Sequence, residues 1–126
     1  MSGRAHIGAT AAATVAAAAL LAGCGRGTHR PNLPDADPAH GKQLIEYYGC
    51  GACHVIGGVG GADGHVGPPL RNFSSDRMIA GKLPNTPANV ARWIHDPQAI
   101  VPGSDMPVLG IGLGGARDIA SYLYGQ

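Results

Sequence analysis

Five consecutive residues, Cys50-Gly51-Ala52-Cys53-His54, constrain this chain more than any other feature. Two cysteines three apart and a histidine directly after them can serve four chemistries. A redox dithiol needs its Cys-x-x-Cys after a strand in an α/β fold, and no alternating strand pattern precedes Cys50. A structural zinc site takes four ligands, usually from two pairs, and the chain has no second Cys-x-x-Cys. A disulfide between cysteines three apart has poor geometry. The remaining chemistry is covalent haem attachment, for which Cys-x-x-Cys-His is the signature. There the two thiols reach the two vinyl groups on one porphyrin edge. The next residue, His54, then lies under the ring with Nε2 free for iron.

Composition agrees with a small domain built around such a group. The chain has 126 residues, of which 21 are glycine and 10 proline, and only 13% are charged. Glycine and proline at that level exclude a coiled coil. A formal charge of +1 leaves no positive field for nucleic acid. Asp63, Asp76, Asp96 and Asp105 form no paired-carboxylate arrangement for hydrolysis. The run from Gly57 to Gly67 lacks the lysine and Ser/Thr of a phosphate loop, and is expected to be a flexible loop over one haem edge. No small-molecule substrate is implied.

Caps and periodicity divide the rest. Asp37-Pro38 is an N-cap followed by proline at the first helical position. Leu44, Ile45 and Tyr48 then share one face, and Gly49 ends the helix. Thr86-Pro87 repeats the signal ahead of Val90, Trp93 and Ile94, with Pro97 as the stop. A last helix is expected over about Gly114–Tyr124, with Ile119, Tyr122 and Leu123 inward. A short helical turn is expected near Asp76–Gly81, and residues 97–110 read as an irregular loop. The expectation is all-α: three main helices and long loops wrapped round one covalent haem. Loops this long in so small a domain need something packed inside them.

A second iron ligand must come from Met78, Met106, His65 or His95. Met106 lies in the loop Val101-Pro102-Gly103-Ser104-Asp105-Met106-Pro107, bracketed by prolines, and is the expected ligand. Met78 falls in the expected helical turn, where packing is its default role. A histidine ligand or an open site are the alternatives. Histidine–methionine ligation favours ferrous iron, and a filled sixth position favours electron transfer over substrate chemistry.

Residues 1–23 read as an export signal: Arg4, then an apolar run from Ile7 to Ala22, too short for the ~20 residues that span a bilayer. The run ends Leu21-Ala22-Gly23-Cys24, which resembles the lipobox of bacterial lipoproteins. That resemblance implies a lipid on Cys24 and cleavage just before it. An ordinary secretory signal and an uncleaved anchor are the alternatives. Residues 24–37 then form the lipidated cysteine and a polar tether, and 38–126 the domain. Cys50 and Cys53 on haem and Cys24 on lipid account for all 3 cysteines.

From Ala39 to Gln126 the chain resembles monohaem c-type cytochromes. The resemblance rests on Gly41-Lys42, the pentapeptide at 50–54, Gly67-Pro68-Pro69-Leu70 and the Met106 loop. It implies the cytochrome c fold, with the Pro68 carbonyl accepting from Nδ1–H of His54. It also implies that Leu70, Trp93, Ile94 and Val101 line the haem and that Gly41 lets the first and last helices cross, near Tyr122 and Leu123. The stretch from Lys82 to Ile94, with Asp96-Pro97-Gln98, is similar to the cytochrome domain fused to subunit II of haem–copper terminal oxidases, which passes electrons to the oxidase copper centre. No cupredoxin domain and no membrane helix are expected alongside it here. The expectation is a free-standing, lipid-anchored electron carrier of a respiratory chain, not an enzyme. It would sit on the outer face of the bacterial cytoplasmic membrane or the periplasmic face of the outer membrane, with a terminal oxidase as its partner. The alternatives are a haem sensor or peroxidase-like enzyme with a labile sixth ligand, and a relay subunit of a larger oxidoreductase.

Overall fold

A computed structural model of the chain describes residues 33–126, together with Met1 and Gly3. The expected signal peptide, Cys24 and the tether as far as residue 32 lie outside the described residues, apart from those two. The elements in chain order are α1 (Pro38–Tyr47), β1 (Met78–Ile79), β2 (Leu83–Pro84), α2 (Pro87–His95), α3 (Pro97–Ile100) and α4 (Leu113–Tyr124), with single 3₁₀ turns at Cys50–Ala52 and Phe73–Ser75.

Three helices start on the same local chemistry. The Asp37 carboxylate accepts from the Ala39 and His40 amides, ahead of Pro38. The Thr86 hydroxyl accepts from Asn89 N, ahead of Pro87. Asp96 accepts from Ala99 N, ahead of Pro97. Each cap satisfies amides that the first turn leaves without a partner. The third case corrects the irregular loop expected over 97–110. Asp96-Pro97 does end α2, but it also starts α3, because a proline that cannot continue one helix is well placed to open the next.

The helical turn expected at Asp76–Gly81 is a hairpin instead. Met78 pairs with Pro84 and Ile79 with Leu83, antiparallel. Ala80 and Gly81 both have positive φ, 48° and 66°, and Lys82 N donates to Ile79 O. This is the two-residue turn whose twist matches that of its strands. Its first central residue is alanine, which carries no turn signal. Met78 stands exposed at the strand edge rather than packing.

The core is a single cluster. Ile45 from α1, Val90, Ala91 and Ile94 from α2, and Ala116, Ile119, Ala120 and Leu123 from α4 are buried together with Ile56, Phe73, Ile79 and Ile111. Helices α1 and α4 cross at Gly41. A Cβ there would run into the Asp118 carbonyl and Ile119 N, so only glycine permits the approach. The crossing lies about one turn earlier on α4 than the expected position near Tyr122 and Leu123. Asp118 binds the crossing from outside, accepting from Asp37 N at 2.8 Å and pairing with His40 Nδ1 at 2.7 Å. The end of the expected tether is docked: Leu33 packs on the core, and the Pro34 carbonyl accepts from Arg117 at 2.7 Å. Among the described residues no helix is long and apolar enough to cross a membrane.

Candidate functional site

The Cys50–His54 segment follows α1 through Gly49, whose φ of 67° turns the chain sharply. The 3₁₀ turn Cys50–Ala52 then delivers His54, whose amide donates to Cys50 O at 3.0 Å. Cys50 and Cys53 are unpaired and half-buried. Burial pushes the Cys50 thiol above its ordinary pKa, with a smaller contribution from Cys53, and its own backbone amide offsets part of the rise. Catalytic dithiols show the reverse, a depressed pKa that yields the nucleophilic thiolate.

The glycine-rich loop folds back onto this segment and is tied along its length. Ile56 N donates to Ala62 O, Gly64 N to Gly51 O, Gly67 N to Cys53 O at 2.8 Å, and Leu70 N to Val55 O at 2.8 Å. Val55 and Asp63 form an isolated antiparallel bridge. These bonds correct the expectation of a flexible loop.

The loop brings Pro68 to His54. The Pro68 carbonyl lies 2.8 Å from His54 Nδ1, which fixes that nitrogen as the N–H donor. With Nδ1 used on Pro68, Nε2 is the ring nitrogen left for a metal. Gly67 makes the approach possible, because a Cβ at this position would collide with the His54 ring. The imidazole is therefore gripped on one side and its Nε2 is not the atom used to hold it.

Cys50, Leu70, Trp93 and Met106 are half-buried against the common core, and Ile94 is one of its buried members. Val101 is half-buried at the end of α3. The other ligand candidates have different neighbours. Met78 and His65 are exposed, and His95 Nδ1 is bound to the Ile111 carbonyl at 2.7 Å. Among the described residues no three His, Cys, Asp or Glu side chains gather as a metal cluster, so a closed zinc site lacks its ligand set there. The donors present suit haem instead: two unpaired thiols, an imidazole with its tautomer set, and a thioether packed against the apolar core.

One residue escaped sequence reasoning. Gln98 places its amide on three backbone groups of the Met106 loop. No local signal marks such a contact, since it depends on where α3 leaves the side chain.

The chain is similar to cytochrome c oxidase subunit 2 of Alkalihalophilus pseudofirmus, at 42% identity over 67 residues. That stretch is 53% of this chain but only 19% of the relative's length. No solved structure matches the chain significantly. The cytochrome c family model matches residues 38–125, from the first residue of α1 to just past the end of α4. With its helical architecture and this donor set, the chain belongs to the cytochrome c family, whose members bind haem c covalently and transfer electrons rather than turn over a substrate.

Proposed function

We propose that this chain is a single-haem electron carrier of a respiratory chain, anchored to a membrane by lipid on Cys24, with a terminal oxidase as its electron acceptor. The observation that supports it best is the gripped imidazole of His54, bound at Nδ1 by Pro68 and directly following two unpaired thiols. Cys50 and Cys53 would hold one haem by thioethers. Each S–H adds across a vinyl double bond, sulfur to one carbon and hydrogen to the other, and no oxidant is consumed. Bound there, haem supplies a one-electron Fe(II)/Fe(III) couple. His54 would offer Nε2 to iron and Met106 its sulfur, and Pro68 holds the imidazole in orientation and raises its basicity. Leu70, Trp93, Ile94 and Val101 would exclude water and so disfavour the more highly charged oxidised state.

Docking would use the apolar rim near Ala52, Val55 and Pro107. Val108, next to Pro107 in sequence, is 53% exposed. Removal of residues 1–23 would take Arg4 and bring the formal charge from +1 to 0, which offers little long-range steering. The oxidase as acceptor is supported by the relative named above, as is a second reading in which the chain is a relay subunit within an oxidase-like complex. Co-purification of a stoichiometric partner would favour that second reading.

The test is the absorption spectrum of the haem-loaded protein, oxidised and dithionite-reduced, with and without carbon monoxide. A low-spin six-coordinate spectrum that carbon monoxide leaves unchanged is expected. A ready shift on adding the gas would overturn the closed site and return the sensor or peroxidase-like alternative.

A further inference from the structure

The segment between α2 and α4 contains Met106 and little regular structure, yet it is strapped at both ends. At its far end His95 Nδ1 holds the Ile111 carbonyl at 2.7 Å. At its near end a single side chain does more. Gln98, half-buried on α3, donates through Nε2 to Ser104 O at 2.8 Å and to Met106 O at 2.9 Å. Its Oε1 accepts from Gly103 N at 2.9 Å. Both amide hydrogens and the carbonyl are thus committed to residues 103–106. Within the loop, Ser104 Oγ accepts from Met106 N at 3.2 Å, and Ser104 N donates to Val101 O at 3.1 Å. The Met106 backbone is therefore held at its carbonyl by Gln98 and at its amide by Ser104.

A thioether is a neutral ligand with no charge to hold it on a metal, so its hold depends on how well the backbone presents it. Exchange for an external ligand requires the sulfur to leave, and the residues carrying it to shift. Contacts made in the ligand-presenting loop and lost in the released loop oppose that exchange by their difference in free energy between the two states. Contacts kept in both states have no effect.

We propose that Gln98 is the positioning residue that keeps the Met106 loop in its ligand-presenting form, and so sets how readily an external ligand displaces Met106. The proposal rests on the reading of Met106 as the sixth ligand.

Imidazole titration of the ferric, haem-loaded protein tests it, followed by the Soret band and by the near-infrared methionine–iron charge-transfer band. Gln98→Ala is expected to retain the charge-transfer band while imidazole affinity rises on the order of tenfold, the change that ~1.4 kcal/mol produces. Gln98→Glu keeps an acceptor for Gly103 N but sets a carboxylate against two carbonyl oxygens, so its affinity should rise at least as far. Asn85→Ala is the control. It cuts bonds to Phe73 and Tyr124 away from the Met106 loop, and should lower the melting temperature without changing imidazole affinity.

The outcomes separate. If the wild-type protein lacks the charge-transfer band and Met106→Ala binds imidazole as the wild type does, the axial assignment fails. If the band is present but the Gln98 variants bind imidazole as the wild type does, the positioning role fails alone. If Asn85→Ala raises imidazole affinity as far as Gln98→Ala, general loosening explains the effect and the proposal also fails.

Discussion

The Tyr124 hydroxyl donates to Asn85 Oδ1, and Asn85 Nδ2 donates onward to the Phe73 carbonyl at 2.7 Å. The Tyr124 ring meets Phe73 edge to face, with centroids 6.1 Å apart. Burial favours the neutral phenol and pushes its pKa up to about 12. The unfolded value is about 10, so between those two the folded protein binds the extra proton. Stability from this group is complete below about pH 10 and is lost as the pH rises toward 12. Denaturant midpoints measured from pH 8 to 12 should fall more steeply in the wild type than in Tyr124→Phe. Equal slopes would assign the alkaline loss elsewhere, for instance to Tyr122, whose phenol is raised by burial and then by Glu46. At this scale legibility follows distance along the chain. The Cys50–His54 pentapeptide is local and could be read directly. The approach of Pro68 to His54 was legible only by resemblance. The Gln98 contacts had no signal, because an amide side chain is compatible with almost any surface position.

Helix starts were the most legible elements, since a cap and a proline at the first position act within one turn. The same signature at Asp96-Pro97 reads from the sequence as a stop, for an isolated proline carries both meanings. The β1–β2 hairpin was missed because Ala80 takes a positive φ that glycine, asparagine or aspartate would have announced. The α1–α4 crossing supplies the prediction proper to this scale. Gly41→Ala drives a methyl into the backbone of Asp118 and Ile119. Overpacking of this kind costs roughly 1–3 kcal/mol, or about 4–8 °C of melting temperature per kcal/mol in a domain this small. Gly114→Ala, on α4 with nothing within 4 Å of the added carbon, should instead stabilise by up to ~1 kcal/mol. Thermal melts of the two haem-loaded variants, with shifts of opposite sign, would place the crossing at Gly41. Equal small shifts would refute it.

For the whole molecule, the membrane anchor follows from the proposed lipid on Cys24. Cys24→Ala is expected to move the protein from the membrane pellet to the soluble fraction when expressed in a bacterium that processes lipoproteins. Unchanged partitioning would remove the anchor from the proposal. The Cys50–His54 motif, the Asp37 and Thr86 caps and the apolar face of α4 were determined by the sequence alone. Each depends on residues within a turn or two of one another, where steric and hydrogen-bonding rules act without the rest of the fold. Only the tertiary structure decided that Gly41 meets α4 at Asp118 and Ile119, that the 57–67 loop closes over the pentapeptide, and that Gln98 grips the Met106 loop. Those contacts join residues distant in sequence or separated by irregular backbone, so their geometry exists only once the core has packed.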